Sequence, residues 1–368
     1  MKYFCLLFFI LSSPFVLAAE LFEANRSIRS LGMGGIYVAT VRDTDALFYN
    51  PAALGFTNKL QWKILNINAG VNGLDVYNSL SAIDSASDYS DYYGVPIWAG
   101  VSGKSAFAFP NFGFGAFSDN DLTLQLHNPA YPTFNAKFRS DYGIVVGGAI
   151  SLTSNTYLGM NLKRISRWAG NQDLGISTVA NASTLSLSTL KSNFQNKGVG
   201  YGIDLALMTV LDTTLHPTFA AVWKDVGITT FQKTDGASAP DPIKDNVVLG
   251  LGFNIDLPGL DMYFGAEGRH LTDSTEQIGK KLHLGTEISL PLIDLRAGVS
   301  QGYTSYGAGF SFLFLQVDAV SYSEEIGVYP GQNPQNRIQV GVSIDLSLDA
   351  NFKLMELNGK KRRLKQRR

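Results

Sequence analysis

Four histidines, His127, His216, His270 and His283, are the side chains of this 368-residue chain best suited to moving a proton or holding a metal near neutral pH. No two of them stand at a metal-ligand spacing, so no metal site is expected. The lone cysteine, Cys5, leaves neither a disulfide framework nor a thiolate cluster. Neither a Gly-x-Ser-x-Gly elbow nor a phosphate-binding loop is present. Gly32-x-Gly34-Gly35 matches a dinucleotide fingerprint only in part, because no βαβ unit surrounds it. The reading is therefore of a non-enzyme without cofactors, and no nucleic-acid partner is expected.

The other chemistry-bearing residues are charges set into strand-like segments: Lys163, Asp204, Glu267, Arg269, Lys281, His283, Glu287, Asp294, Arg296, Asp318 and Asp345. Glu267/Arg269 and Asp294/Arg296 are two residues apart, which puts each pair on one face of a strand. With both signs interspersed, such a face could line a polar channel, grip an internal plug, or form ion pairs that fill and stiffen a barrel. The last is the preferred reading.

The elements that would position these charges follow from period-two alternation. From Arg337 to Leu348, Ile338, Val340, Val342, Ile344, Leu346 and Leu348 share one face, with Gln339, Gly341, Ser343, Asp345 and Ser347 on the other. Asn246–Asp256 and Gly198–Met208 repeat the pattern. Fourteen candidate strands are expected, centred near residues 66, 111, 125, 145, 161, 204, 220, 250, 265, 285, 296, 308, 319 and 342. Short links such as 151–155, 211–214 and 256–260 alternate with long ones such as 72–104, 169–197, 229–243 and 325–336. Short turns on one rim and long loops on the other are the mark of an outer-membrane barrel with its short rim in the periplasm. With 37 glycines, 12% aromatic and only 17% charged residues, the composition suits a wall with one lipid face. The fold class is thus all-β, a transmembrane antiparallel β-barrel of about fourteen strands.

The ends carry addresses. Lys2, the apolar run Tyr3–Leu11 and the small residues around Val16-Leu17-Ala18 read as a signal peptide over 1–18, too short for a spanning helix of about 20 residues. The C-terminal 350–368 is read as a basic periplasmic tail, since Lys353–Arg368 holds eight Lys and Arg against Glu356 alone. It suits anionic headgroups, peptidoglycan or an acidic partner, or serves as a solubilising tail. Between lie a plug at 19–58 and a barrel at 59–349.

Within the plug, Ser27–Gly55 reads SIRSLGMGGIYVATVRDTDALFYNPAALG. Its glycines Gly32, Gly34 and Gly35, and the turn-forming Asn50-Pro51-Ala52, mark compact irregular structure. This stretch resembles the N-terminal signature of the FadL-type outer-membrane transport family and its PorV-like relatives. The resemblance implies a hatch that plugs a 14-stranded barrel, a bacterial outer-membrane location, and passive uptake of small hydrophobic or amphipathic, fatty-acid-like molecules. It also implies contact with membrane lipid and with the outer-membrane insertion machinery, whose signal Gln339-x-Gly341-x-x-Ile344-x-Leu346 resembles. The alternative is a PorV-like, non-conducting barrel that serves as a scaffold for a periplasmic or surface protein; an open porin is third. In FadL, substrate leaves through a lateral opening at a strand kink. Pro110 and Asn111, in the run Phe107–Phe117, are the candidates for such a kink here, or else for an edge-like bulge at a loop end. Aromatic loop residues Tyr89, Tyr92, Tyr93 and Trp98 are candidates for a hydrophobic site.

Overall fold

In the computed structural model, which describes residues 20–21, 23–72, 94–127, 133–175 and 196–349, fifteen strands lie in one sheet. The expected signal peptide and basic tail, and Tyr89, Tyr92 and Tyr93, lie outside the described residues. In chain order the strands are β1 (Lys59–Val71), β2 (Pro96–Phe109), β3 (Phe112–His127), β4 (Thr133–Thr153), β5 (Thr156–Gly175), β6 (Asn196–Val210), β7 (Thr218–Lys224), β8 (Phe231–Asp235), β9 (Asn246–Leu257), β10 (Leu260–Gly268), β11 (Leu282–Ser289), β12 (Ile293–Ser300), β13 (Tyr303–Phe312), β14 (Leu315–Glu325) and β15 (Pro334–Asp349). Each pairs antiparallel with its neighbours, and β1–β15 together with β5–β6 close the wall.

Closure follows from the solvent on the outside. A lipid-facing strand cannot leave its N–H and C=O groups unpaired, and a barrel has no edge. The alternation expected from the sequence faces as read: Ile338, Val340 and Val342 on β15, Leu249, Leu251 and Phe253 on β9, and Tyr201, Ile203, Leu205 and Leu207 on β6 all point outward and exposed. No described helix is long and apolar enough to cross a membrane.

Fourteen strands close the barrel, and the fifteenth, β8, is an addition the alternation did not show. After Lys224 the chain turns through Asp225, Gly227 and Ile228, all at positive φ. It then returns to pair Phe231–Lys233 with Gly198–Gly200 of β6, beyond the reach of β7. Strand two also differs from expectation. It spans fourteen residues from Pro96 to Phe109, so the loop before it is shorter than 72–104. Pro110 and Asn111 are not a kink within it but the two-residue turn of the β2–β3 hairpin, closed by the pair Phe109/Phe112. Proline sets its own φ for the first turn position, and Asn111 takes the φ of 69° that the second requires.

That turn sits on the short rim, with Asn155, Gly259 and Leu313-Phe314 in the other tight connections. The opposite rim carries the longer links, except that Gln301-Gly302 joins β12 to β13 in two residues. Strands β4 and β5 run 21 and 20 residues, about twice what a bilayer crossing takes, and project beyond the membrane on that side.

Asn111→Val should cost about 1–2 kcal/mol, because a β-branched residue is poorly housed at positive φ. Asn111→Gly should stay within about 1 kcal/mol of the parent. Reversible urea unfolding from lipid vesicles measures both, and equal stability of the two variants would contradict the turn assignment.

Candidate functional site: the plug and its seat

Residues 23–58 fill the lumen. Helix α1 (Ile28–Gly32) is capped by the Ser27 hydroxyl, which accepts from Ser30 N at 3.1 Å, and lies against β12–β15. Helix α2 (Ala46–Tyr49) leads into a 3-10 turn, Pro51–Phe56, that packs on β3–β6. Helix α3 (Ile278–Lys281) belongs to the outer link between β10 and β11.

Asn50 joins α2 to the 3-10 turn, and it is wholly buried. Its Nδ2 donates to Val38 O at 2.8 Å while its Oδ1 accepts from Ala52 N at 3.0 Å. Pro51 fills the first position of the turn, where a missing N–H costs nothing. Ala52 then presses on the wall: a Cβ on Gly159 of β5 would fall 2.1 Å from Ala52 N. Gly34 and Gly35, at φ of 67° and 89°, allow the same close approach on the far side. There a Cβ on Gly298 of β12 would fall 2.1 Å from Gly34 N, and one on Gly285 of β11 2.1 Å from Met33 O. Gly32 meets Gly307 Cα and Arg296 Cβ, each 3.2 Å from where its own Cβ would stand.

The seat has two unlike halves. Facing β10–β15 the contacts are mainly ionic, with one apolar patch where Ile28 and Leu31 meet Val320 and Tyr322 of β14. Glu287 takes a two-pronged bond from Arg29 of the plug, at 2.8 and 2.9 Å, and a third from Arg296 of the wall at 2.6 Å. Arg296 also reaches Asp318 at 2.5 Å and Asp294 at 3.2 Å. The Glu267 carboxylate accepts the backbone N–H groups of Tyr37 and Val38, both at 2.6 Å, and Arg269 pairs with Glu23 at 2.8 Å. His283 Nδ1 donates to Gly34 O at 2.7 Å. Buried charges persist only when paired in this way.

Facing β2 and β4–β9 the contacts are apolar. Val38, Ala39, Leu47 and Ala52–Leu54 pack on the short inward side chains Ala106, Ala108, Val145, Ala149, Ala206, Ala220, Val222 and Val248, with Met208 beneath Asn50. Polar tethers interrupt that half, among them Arg42 to the Thr218 hydroxyl at 3.2 Å. Asp45 binds Lys63 at 2.9 Å and Lys104 at 2.8 Å, and Asn161 Nδ2 donates to Leu47 O at 2.8 Å.

The structure thus brings Glu287, Asp294 and Arg296 into one cluster and Glu267 and Arg269 into another. Asp204 stands apart, holding Lys163 at 2.7 Å and Asp225 N at 2.9 Å where the wall turns toward β8. Asp345 lies near the short rim and accepts from Ser343 at 2.7 Å. Pro110 and Asn111 join neither cluster; Asn111 N donates to Leu54 O, tying the turn to the plug. Sequence reasoning missed the plug's own charges, Arg29 and Asp45, and the wall partners Lys63 and Lys104. The usable signal was a lone lysine at an inward position of a strand whose neighbours are small or apolar. At the plug's start, Glu20 is gripped by Arg337 at 2.8 and 2.9 Å. Burial alone would raise its pKa, but Arg337 and Arg26 hold it down to about 2.

Two substitutions test this seat. Glu287→Gln removes a buried charge shared by Arg29 and Arg296, which should weaken plug seating by about 3 kcal/mol. Amide exchange over residues 28–40 should then accelerate roughly a hundredfold while the barrel strands stay protected; unchanged exchange would refute the latch. Gly298→Val should lift the plug from β12 and make folded protein cleavable by trypsin after Arg29 or Arg42, and continued resistance would show that the contact is dispensable.

No protein-family model matches the chain, and no curated protein matches its sequence. Solved structures do match its fold. The Pseudomonas putida toluene transporter TodX is 14% identical, with 90% of this chain and 99% of that one covered at a TM-score of 0.53. The Ralstonia pickettii toluene transporter TbuX is also 14% identical, with 90% and 99% covered at a TM-score of 0.50. A closed fourteen-stranded wall with an apolar outer belt, short turns on one rim and an N-terminal plug seated inside is therefore the fold of the FadL-type outer-membrane channels.

Proposed function

We propose that the protein sits in the bacterial outer membrane as a channel for passive uptake of small hydrophobic molecules, of the monoaromatic or fatty-acid-like class. The observation that carries this is the division of the plug's seat into an ionic half on β10–β15 and an apolar half on β2 and β4–β9. Ion pairs in a dry interior are costly to part, whereas apolar surfaces slide open for an apolar guest that re-covers them. A hydrophobic molecule thus finds its way along the apolar seam, with the plug hinging about Asn50-Pro51-Ala52 and staying tethered at Arg29, Glu267 and Glu287. Downhill diffusion needs no energy source.

The likeness to two toluene transporters supports the same class of cargo. The resemblance noted in the sequence extends it to fatty-acid-like molecules. A second reading, a permanently closed scaffold, draws on the ionic half, whose charges fill the lumen with bonds and leave no greasy conduit through that side.

The test is uptake of radiolabelled toluene and oleate by cells that lack their own hydrophobic channels and express this barrel, beside an Asn50→Ala/Pro51→Ala variant. Losing the buried Asn50 bonds weakens the hinge by about 1–3 kcal/mol, so uptake of at least one compound should change several-fold. Uptake at background for both compounds, with a folded barrel and a protein partner co-purifying one to one, would favour the scaffold.

A further inference from the structure

The β13–β14 hairpin stops short of its neighbours on the periplasmic rim. Strand β14 begins at Leu315, paired with Ile344 of β15, and the last bond on that side runs from Asp345 N to Phe314 O at 2.8 Å. Strand β1 follows β15 further, to Lys59 opposite Asp349. Residues 346–349 therefore pair on one edge only, and the wall has a notch below Leu313-Phe314. An uncovered strand edge is normally blunted or filled.

The notch holds a cavity of about 90 Å3. Its polar lining includes Asp43 and Thr44 of the plug, Asp345 and Lys59. Its outer side is formed by Trp62, Leu313, Phe314 and Leu346, which are exposed on the belt that meets lipid. Two carboxylates, an ammonium and an exposed apolar flank around one cavity complement a molecule carrying a hydrogen-bonding cation, an anion and hydrocarbon chains. At the periplasmic leaflet such a molecule is a phospholipid with a primary-amine headgroup.

We infer that the notch between the β13–β14 turn and the edge of β15 is a binding site for one phosphatidylethanolamine-type lipid. Its ammonium is taken by Asp345 and Asp43, its phosphate by Lys59, and its chains by Trp62, Phe314 and Leu346. The inference goes beyond the uptake proposal and stands independently of it.

Native mass spectrometry of the full chain in mild detergent tests it, with phosphatidylethanolamine and phosphatidylglycerol of identical chains titrated separately. One phosphatidylethanolamine per barrel should be retained, and phosphatidylglycerol at least tenfold more weakly. Asp345→Asn and Lys59→Gln should each weaken retention about tenfold. Ser347→Trp, which fills the notch from its edge, should abolish retention, with the folded gel mobility of every variant checked first. Free phosphoethanolamine should fail to compete at equal concentration, which separates a lipid site from a site for the headgroup alone. Equal retention of the two lipids, or variants that bind as the parent does, would overturn the assignment whatever the outcome of the uptake assay.

Discussion

Glu287 carries the arrangement on which the rest of the lumen depends. Its carboxylate is out of reach of water and is shared by an arginine from the plug and an arginine from the wall. Neither cation could lie buried alone, and the carboxylate could not either. Asp294 and Asp318 add two further carboxylates to Arg296, so that plug and wall form one electrostatic unit at this point. The plug is thereby positioned to within the length of a hydrogen bond. Its backbone can then lie on Gly285 and Gly298 where any side chain would collide.

Once that side is fixed, the other follows from shape. Small inward residues on β2 and β4–β9 leave room for the apolar surface of α2 and the 3-10 turn, and the interface there is held by area more than by direction. The two halves differ in how they respond to an intruding molecule. Hydrogen-bonded charges discriminate strongly between partners, while packed alanines and valines accept any apolar surface of suitable size.

Much of the wall was legible because a strand with lipid on one side and protein on the other has to alternate. The outward faces of β6, β9 and β15 could be written down from the sequence, as could the inward pairing of Glu267 with Arg269 and of Asp294 with Arg296. The β2–β3 turn was misplaced because its phenylalanines look continuous. Phe107 and Phe109 stand at odd positions and Phe112 and Phe114 at even ones, and that change of parity is the mark of a hairpin. Strand β8 went unseen because Phe231–Asp235 is short and mostly polar, and its outer residues face solvent. The wall side of the ionic latch was named, but its plug partner was not, since Arg29 and Glu287 are 258 residues apart and no local pattern links them.

The anchoring of Glu20 by Arg337 reaches across 317 residues, nearly the whole chain. Arg26 likewise pairs with Glu324 on β14. The first part of the barrel to leave the ribosome is thus bound to the last strands to be made. Contacts so distant in sequence form late, because the loop that joins them must close first. Full seating of the plug is therefore tied to completion of the wall: until β14 and β15 are in place the plug lacks the anchors of Glu20 and Arg26.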